Sequence, residues 1–520
     1  MHDILIKNGT VIDGTGQLGF KSDVAVEKGR IVEIAPAIPK ERAKEVIDAK
    51  GKFVSPGFID IQNHSDSYWT LFDQPEQSSL LSQGITTIIV GNCGASLAPL
   101  ASQEAIKAVQ KWHDLSGVNL NWATFAELAA ALGENKLGVN VGSLVGHATL
   151  RRGILGDQVR AVTADEIRIM EDLLRKSLEA GAFGFSLGLI YAHEVDSSLE
   201  ELTALSKTLK AGGGYLSVHL RSEGSHILEA LDEAIELSRE ASVPLKISHL
   251  KIRGKKNWHL FDRMASKLEI AYHEGLNLAF DVYPYDTSWS VLYTYLPKWA
   301  YEGGRAAILR RINSASERRK ILDYLRAAEE NFSNIIIAHA EHNPSFVGKS
   351  IAQIAANQEV SNEEAVLNIL SACKTQVIIF DHNLSDEHVE LLAFSPLSLI
   401  ATDGAGYSKE DLNNLVHPRC FGTMPRFLKM VREKKAISFE LAVKKLTSEP
   451  AKLLGIRGRG TLAKNNFADI VVFDPLKVSD RATYEHPFIQ AVGIDHVLVN
   501  GQSAVRGGNM SGSFGSVLTK

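Results

Sequence analysis

The 520-residue chain has only three cysteines, Cys93, Cys373 and Cys420. That is too few for a disulfide framework, and it fits a reduced, cytoplasmic setting. No run of about 18 apolar residues is present, which excludes a membrane-spanning helix. There is no basic block and the net charge is −5, which argues against nucleic acid as a partner. The opening MHDILIKNGTVIDG reads as strand and turn, without the basic and apolar regions of a secretory signal, so export is not expected. Short-period repeats and low-complexity tracts are missing too. What remains is an ordinary globular composition, 45% hydrophobic and 22% charged. The chain is long enough for a large barrel with an accessory domain.

The first 50 or so residues alternate short strands with turn signals, as in DILIKNG and DVAVEKGRIVEIA. The far end does the same in ADIVVFDP and HVLVNGQSAV. Either set alone would leave unpaired edges, so both termini (1–55 and 455–520) are expected to build one small β-sandwich domain. Between them lie eight short apolar runs, each ending in polar residues: FVSPGFIDI, TTIIVGNC, GVNVGSLVGH, FGFSLGL, YLSVHLR, PLKISHLK, NLAFDVYPY and LSLIATDG. Segments of helical period separate most of them. One of these, TADEIRIMEDLLRKSLEAG, carries a capping-box spacing between Thr163 and Glu166. Eight strand–helix alternations predict an α/β fold, a TIM-like (β/α)8 barrel over 56–454. The stretch at about 286–396 exceeds one crossover and reads as an insertion, with extra strands at NIIIAHAE and QVIIFDH.

Polar residues cluster at the C-terminal ends of these runs, the face on which barrels carry catalysis. His219 and His249 lie about one βαβ unit apart, so adjacent strands would bring the two imidazoles together. Either alone reads as a hydrogen-bonded core histidine; the matched pair reads as a zinc site needing an anionic third ligand. Cys93 in VGNCGASLAP offers a thiolate, although a small buried residue or a nucleophile are alternatives. Asp403 in TDG is either a turn aspartate or a general base that deprotonates a metal-activated water and then protonates a departing amine. Closure of the barrel would set it beside His64. Arg221 and Lys251 each follow a histidine by two residues and could bind a carboxylate or phosphate, or form ion pairs. Tyr191, Tyr283 and Tyr285 could supply hydroxyls or simply pack. His147 and Arg151 read as structural, and His339, His342 and His382 fall in the insertion.

In order along the chain, SPGFID, GNCGASLAP, LVGHATLR, GFSLGLIY, ISHLK, DVYPY, TDG, HPRCFGT and GRGTLAKNNFADIVVFDP resemble the amidohydrolase superfamily. The cysteine of GNCGASLAP, with GFSLGLIY and ISHLK, resembles the N-acyl-D-amino-acid deacylase branch, the D-aminoacylases. The resemblance implies a zinc enzyme acting on small N-acyl amino acids. Its tightly held metal falls on Cys93, His219 and His249, and its acid/base on Asp403. Lys251, Tyr191 and Tyr283 are implied in substrate binding, and D-stereospecificity comes from this likeness alone. The family pattern Asp-x-His-x-His reads here Asp60-Ile61-Gln62-Asn63-His64. His64 is kept, and Gln62 stands where the family has an imidazole for a second, weaker metal position. A carboxamide oxygen is a poor zinc ligand, so one tightly bound Zn2+ is expected, with the second position empty or weakly filled. Two other readings stay open: a cyclic-amide hydrolase of the hydantoinase or dihydroorotase kind, and a catalytically silent barrel kept for binding.

Overall fold

Five strands form from the alternating N-terminal segment: β1 (His2–Val11), β2 (Phe20–Glu27), β3 (Arg30–Ala35), β4 (Ala43–Asp48) and β5 (Phe53–Pro56). The structure, a computed structural model, describes residues 1–109, 120–156, 158–328, 331–410 and 414–520. The sheet branches at β1, which pairs β2 antiparallel, β4 parallel through its first half and β5 parallel at Thr10 and Val11. Alternate residues such as Ile4, Ile6, Val24, Val26 and Ile31 turn inward and are buried together, as period-two patterning requires.

The barrel strands follow: β6 (Phe58–Asp60), β7 (Ile85–Val90), β8 (Asn140–Ser143) with its continuation β9 (Val145–Gly146), β10 (Gly184–Gly188), β11 (Tyr215–His219), β12 (Leu245–Ile247) and β13 (Leu278–Val282). Their neighbours in the sheets are parallel throughout. After β13 come β14 (Ser288–Val291), β15 (Ile336–Ala340) and β16 (Val377–Asp381), a separate antiparallel sheet in the order β14-β16-β15. The eighth barrel strand, β17 (Ser398–Ile400), then pairs β13. The ring closes where the ends of β17 and β6 meet: Asp403 N–H donates to Gln62 O at 2.9 Å and His64 N–H to Gly404 O at 2.7 Å. Nearly continuous apolar runs are what strands buried on both faces demand, and β7, β10, β11 and β12 are buried at every residue.

The crossover helix Ala164–Glu179 begins where the sequence pattern places it. Thr163 Oγ1 accepts from Glu166 N–H, and the Glu166 carboxylate accepts from Thr163 N–H. At the far end β18 (Ile470–Phe473), β19 (Ile494–Val499), β20 (Gln502–Arg506) and β21 (Asn509–Met510) return to the first sheet, β18 lying antiparallel on β5. Both ends of the chain therefore share one nine-stranded sheet. The inserted sheet packs over the barrel mouth: Trp289, Leu292 and Phe380 share a buried cluster with Cys93 and Tyr191. Among the described residues no helix is long and apolar enough to cross a membrane.

Candidate metal centre

Three residues at the mouth hold left-handed backbone conformations without being glycine: Cys93 (φ 52°), His249 (φ 36°) and Asp403 (φ 46°). Each such residue costs about 1–3 kcal/mol and persists only where the surroundings impose it. Here each marks the point where a strand has ended and the chain turns its side chain over the mouth. The surroundings are specific. His249 N–H donates to Asp281 Oδ1 at 2.8 Å, and Asp403 is tied to β6 by the closing hydrogen bond above.

These turns bring Cys93, His219 and His249 together. Their ligand atoms lie within 4.8 Å of one another and all three residues are buried. Cys93 Sγ is 3.4 Å from His249 Nε2, and the two imidazole rings meet edge to face at 4.3 Å between centroids. Among the described residues neither ring nitrogen of His219 has a hydrogen-bond partner, although the ring is buried. A buried imidazole left unsatisfied beside a thiolate and a second imidazole is the donor set of a tight zinc site, and the residues fit that ion. His64, Cys93 and Asp403 form an overlapping second cluster.

The charges agree. Burial opposes ionisation of the Cys93 thiol, but His249, His219 and His64 outweigh it and hold its pKa well below that of an ordinary thiol. Burial and Lys251 push His249 down, while Asp403 and Cys93 raise it to about 9. His64 rises to about 10 because Asp403 and Cys93 override the cost of burial. His219 is lowered by burial and by His249. Asp403 would be raised by burial, yet Arg419, His249 and His64 hold it well below the usual carboxylate range.

The remaining residues singled out in the sequence divide. Lys251, Tyr191 and Tyr283 line the same narrow cavity as the cluster. The Tyr191 ring lies 5.1 Å from that of His219. Lys251 Nζ sits 2.8 Å from His249 Nδ1 and also pairs with Glu223. Arg221 is not brought there. Its guanidinium is engaged by both carboxylate oxygens of Glu233 and by the carbonyl of Val195. His147 is bound on both ring nitrogens, by Glu194 at 2.9 Å and Glu201 at 2.8 Å, within a fully buried group that includes Arg151. His339, His342 and His382 hydrogen-bond locally within or beside the insertion, to Asn414, Gln376 and Thr287.

Two residues escaped the sequence reading. Glu223 Oε1 lies 3.1 Å from His249 Nδ1, the carboxylate–imidazole arrangement that orients a metal-ligating ring. Arg419 Nη2 lies 2.8 Å from Asp403 Oδ2, with its guanidinium 4.4 Å above the Tyr283 ring. The signals lie in the sequence, since Glu223 follows His219 by four residues and Arg419 stands in HPRCFGT.

Residues 45–505 match the profile of the amidohydrolase family. The chain is 32% identical to the D-aminoacylase of Alcaligenes xylosoxydans xylosoxydans, covering 96% of this chain and 93% of that one. The N-acyl-D-glutamate deacylase of Bordetella bronchiseptica, solved with zinc and a phosphonate mimic of the tetrahedral intermediate, superposes with a TM-score of 0.84. It is 30% identical over the whole of both chains. A D-aminoacylase whose binuclear centre is described as activated by one metal and attenuated by the second gives 0.85, at 31% identity over both full chains. The chain belongs to the amidohydrolase family.

Proposed function

We propose that this chain is a zinc-dependent N-acyl-D-amino-acid deacylase, hydrolysing a linear amide to a free D-amino acid and a carboxylate. The observation that carries the reading is the convergence of Cys93, His219 and His249 beside Asp403 in a chain with full-length likeness to D-aminoacylase. Cys93, His219 and His249 would hold one Zn2+, and Gln62 in place of an imidazole argues against a second. When bound, the ion supplies Lewis acidity, polarising the amide carbonyl and lowering the pKa of a water toward about 7.

The protein groups do the rest. Asp403 is ionised, within reach of the cluster, and accepts the proton of the attacking water. It then returns that proton to the leaving nitrogen, so one carboxylate serves both halves of the reaction. His64, 3.1 Å from Asp403 Oδ1, fixes the direction in which the carboxylate faces. Lys251 and Arg419, cations on the cavity wall, meet the substrate carboxylate, and Tyr191 and Tyr283 wall the acyl group from water. Arg221 is assigned to holding Glu233 and the loop around Val195 rather than substrate.

The test joins zinc quantitation on the purified chain to assays on paired N-acetyl-D- and N-acetyl-L-amino acids. Free amine from the D series alone, with zinc present, is the expected result. Ring opening of hydantoin or dihydropyrimidine substrates without amine release would overturn it in favour of a cyclic-amide hydrolase.

A further inference from the structure

Gln62 is held from both ends of its carboxamide. Its Oε1 accepts from the Lys246 ammonium and from Ser248 Oγ at 3.2 Å, and its Nε2 donates to Cys93 Sγ at 3.2 Å. The orientation of the amide is fixed, because an ammonium only donates and so must face the oxygen. Lys246 is in turn paired with Asp281 Oδ2 at 2.6 Å, with both side chains fully buried inside the barrel. The other oxygen of Asp281 accepts the backbone N–H of His249. A single chain of contacts therefore runs from the turn that carries one metal ligand, through a buried ion pair and a carboxamide, to the sulfur of another.

We infer that Lys246 and Gln62 together stand in for the second metal ion of the binuclear relatives. The inference rests on the reading of Cys93, His219 and His249 as the primary metal site. A second ion would share the Cys93 sulfur with His64 and Asp403, the overlapping cluster described above. It would need a lone pair from residue 62 and a free lone pair on that sulfur. Gln62 presents an N–H there instead, and the N–H is directed at the sulfur. The ammonium behind it, itself neutralised by Asp281, polarises the amide and strengthens that donation. The thiolate keeps the partial neutralisation that a bridging ion would give, but from a group that cannot dissociate. Excess zinc then finds no second seat, and the attenuation described for the binuclear D-aminoacylase has no structural basis here.

The experiment is a cobalt(II) titration of the full-length, metal-stripped protein. It follows the thiolate-to-cobalt charge-transfer band, with metal content measured independently after desalting in zinc. Wild type is expected to saturate at one ion per chain, and activity to stay level under zinc excess. Gln62→His alone is expected to remain at one ion, because the Lys246 ammonium would donate to the ring nitrogen facing it and leave an N–H, not a lone pair, toward Cys93. The double variant Gln62→His/Lys246→Met is expected to take up a second ion and to lose activity as it does so. Two ions in wild type, two in Gln62→His alone, or one in a folded double variant would each overturn the inference. Should the double variant fail to fold, the wild-type and Gln62→His titrations still decide it. A wild type that binds no ion at all would instead count against the primary site and the proposed function.

Discussion

Asp403 and Arg419 form a buried ion pair at 2.8 Å, while the other oxygen of Asp403 meets His64 at 3.1 Å. One carboxylate is thus shared between two cationic partners from different elements, and both favour its ionised form. Asp403 touches the metal cluster without belonging to the set that fits the tight ion. Asp403→Asn should therefore leave zinc content near wild type while reducing kcat by roughly 10²–10⁴, the range ascribed to a general acid/base. Metal analysis beside steady-state kinetics checks this. An equal loss of zinc and activity would assign Asp403 to holding the metal.

Arg419 gives a prediction about pH. It is the first of the groups that hold Asp403 below the usual carboxylate range against the upward push of burial. In the proposed mechanism the working form of Asp403 is the carboxylate, so activity should fall as pH drops through its pKa. Removing the guanidinium raises that pKa, and the acid limb of kcat/KM must move to higher pH. Arg419→Met should show this shift, with a KM increase if Arg419 also meets the substrate carboxylate. Breaking a buried pair by removing one partner costs about 3–5 kcal/mol, so Arg419→Lys, which keeps the charge, is the control for folding. An unmoved acid limb in a folded variant would separate Arg419 from the chemistry.

Zinc loading carries its own pH signature. Asp403 and Cys93 raise the pKa of His249 to about 9 against burial and Lys251, while the surrounding histidines hold the Cys93 thiol well below the ordinary thiol range. An ion can bind His249 Nε2 only when that nitrogen has lost its proton. Below pH 9 binding therefore expels a proton from His249, and zinc affinity rises with pH toward about 9. Calorimetry in buffers of different ionisation enthalpy should count at least one proton released per zinc at neutral pH. The count should drop by about one as pH rises through 9, where His249 no longer carries the proton to be lost. A count that stays unchanged across pH 9 would show that His249 is not the group that gives up the proton.

How much of this the sequence disclosed depends on where regular structure stops. Cys93, His219, His249 and Asp403 were legible because each sits at the C-terminal end of a buried strand, and a barrel collects those ends on one face. Strand alternation places Arg221 beside His219 only if β11 runs on past that histidine. β11 ends at His219, so the two-residue period no longer governs position 221, and the side chain swings to Glu233. Lys251 follows β12 by four residues across the left-handed turn at His249, and its approach to Glu223 could not be read from spacing either. Glu223 and Arg419 gain their roles from partners on other elements, and local sequence carries no record of such pairings. Gln62 was visible as a departure from the family pattern. Lys246 on β12 reaches Gln62 from across the barrel interior, a pairing that only closure of the barrel creates.

Gly94 ties Cys93, the proposed metal ligand, to the buried polar group behind it. It follows Cys93 with φ 77°, and a Cβ there would meet Glu194 Oε1 at 1.9 Å. Glu194 cannot retreat freely, since its other oxygen accepts from His147 Nδ1 at 2.9 Å and from Gly188 N–H at 2.8 Å. Gly94→Ala therefore combines a left-handed backbone with a collision against a carboxylate anchored in the interior. Each contributes about 1–3 kcal/mol, so a loss of roughly 2–6 kcal/mol is expected. Gly51 provides the contrast: it has nearly the same φ, 78°, with nothing within 4 Å of the added carbon. Gly51→Ala should show the backbone cost alone, about 1 kcal/mol, and leave zinc binding untouched. Thermal melts of the two variants with and without zinc make the comparison. If Gly94→Ala displaces the Cys93 turn, zinc will raise its melting temperature less than it raises that of Gly51→Ala. Equal melts and equal zinc protection would show that the carboxylate moves aside and that the turn at Cys93 does not depend on Gly94.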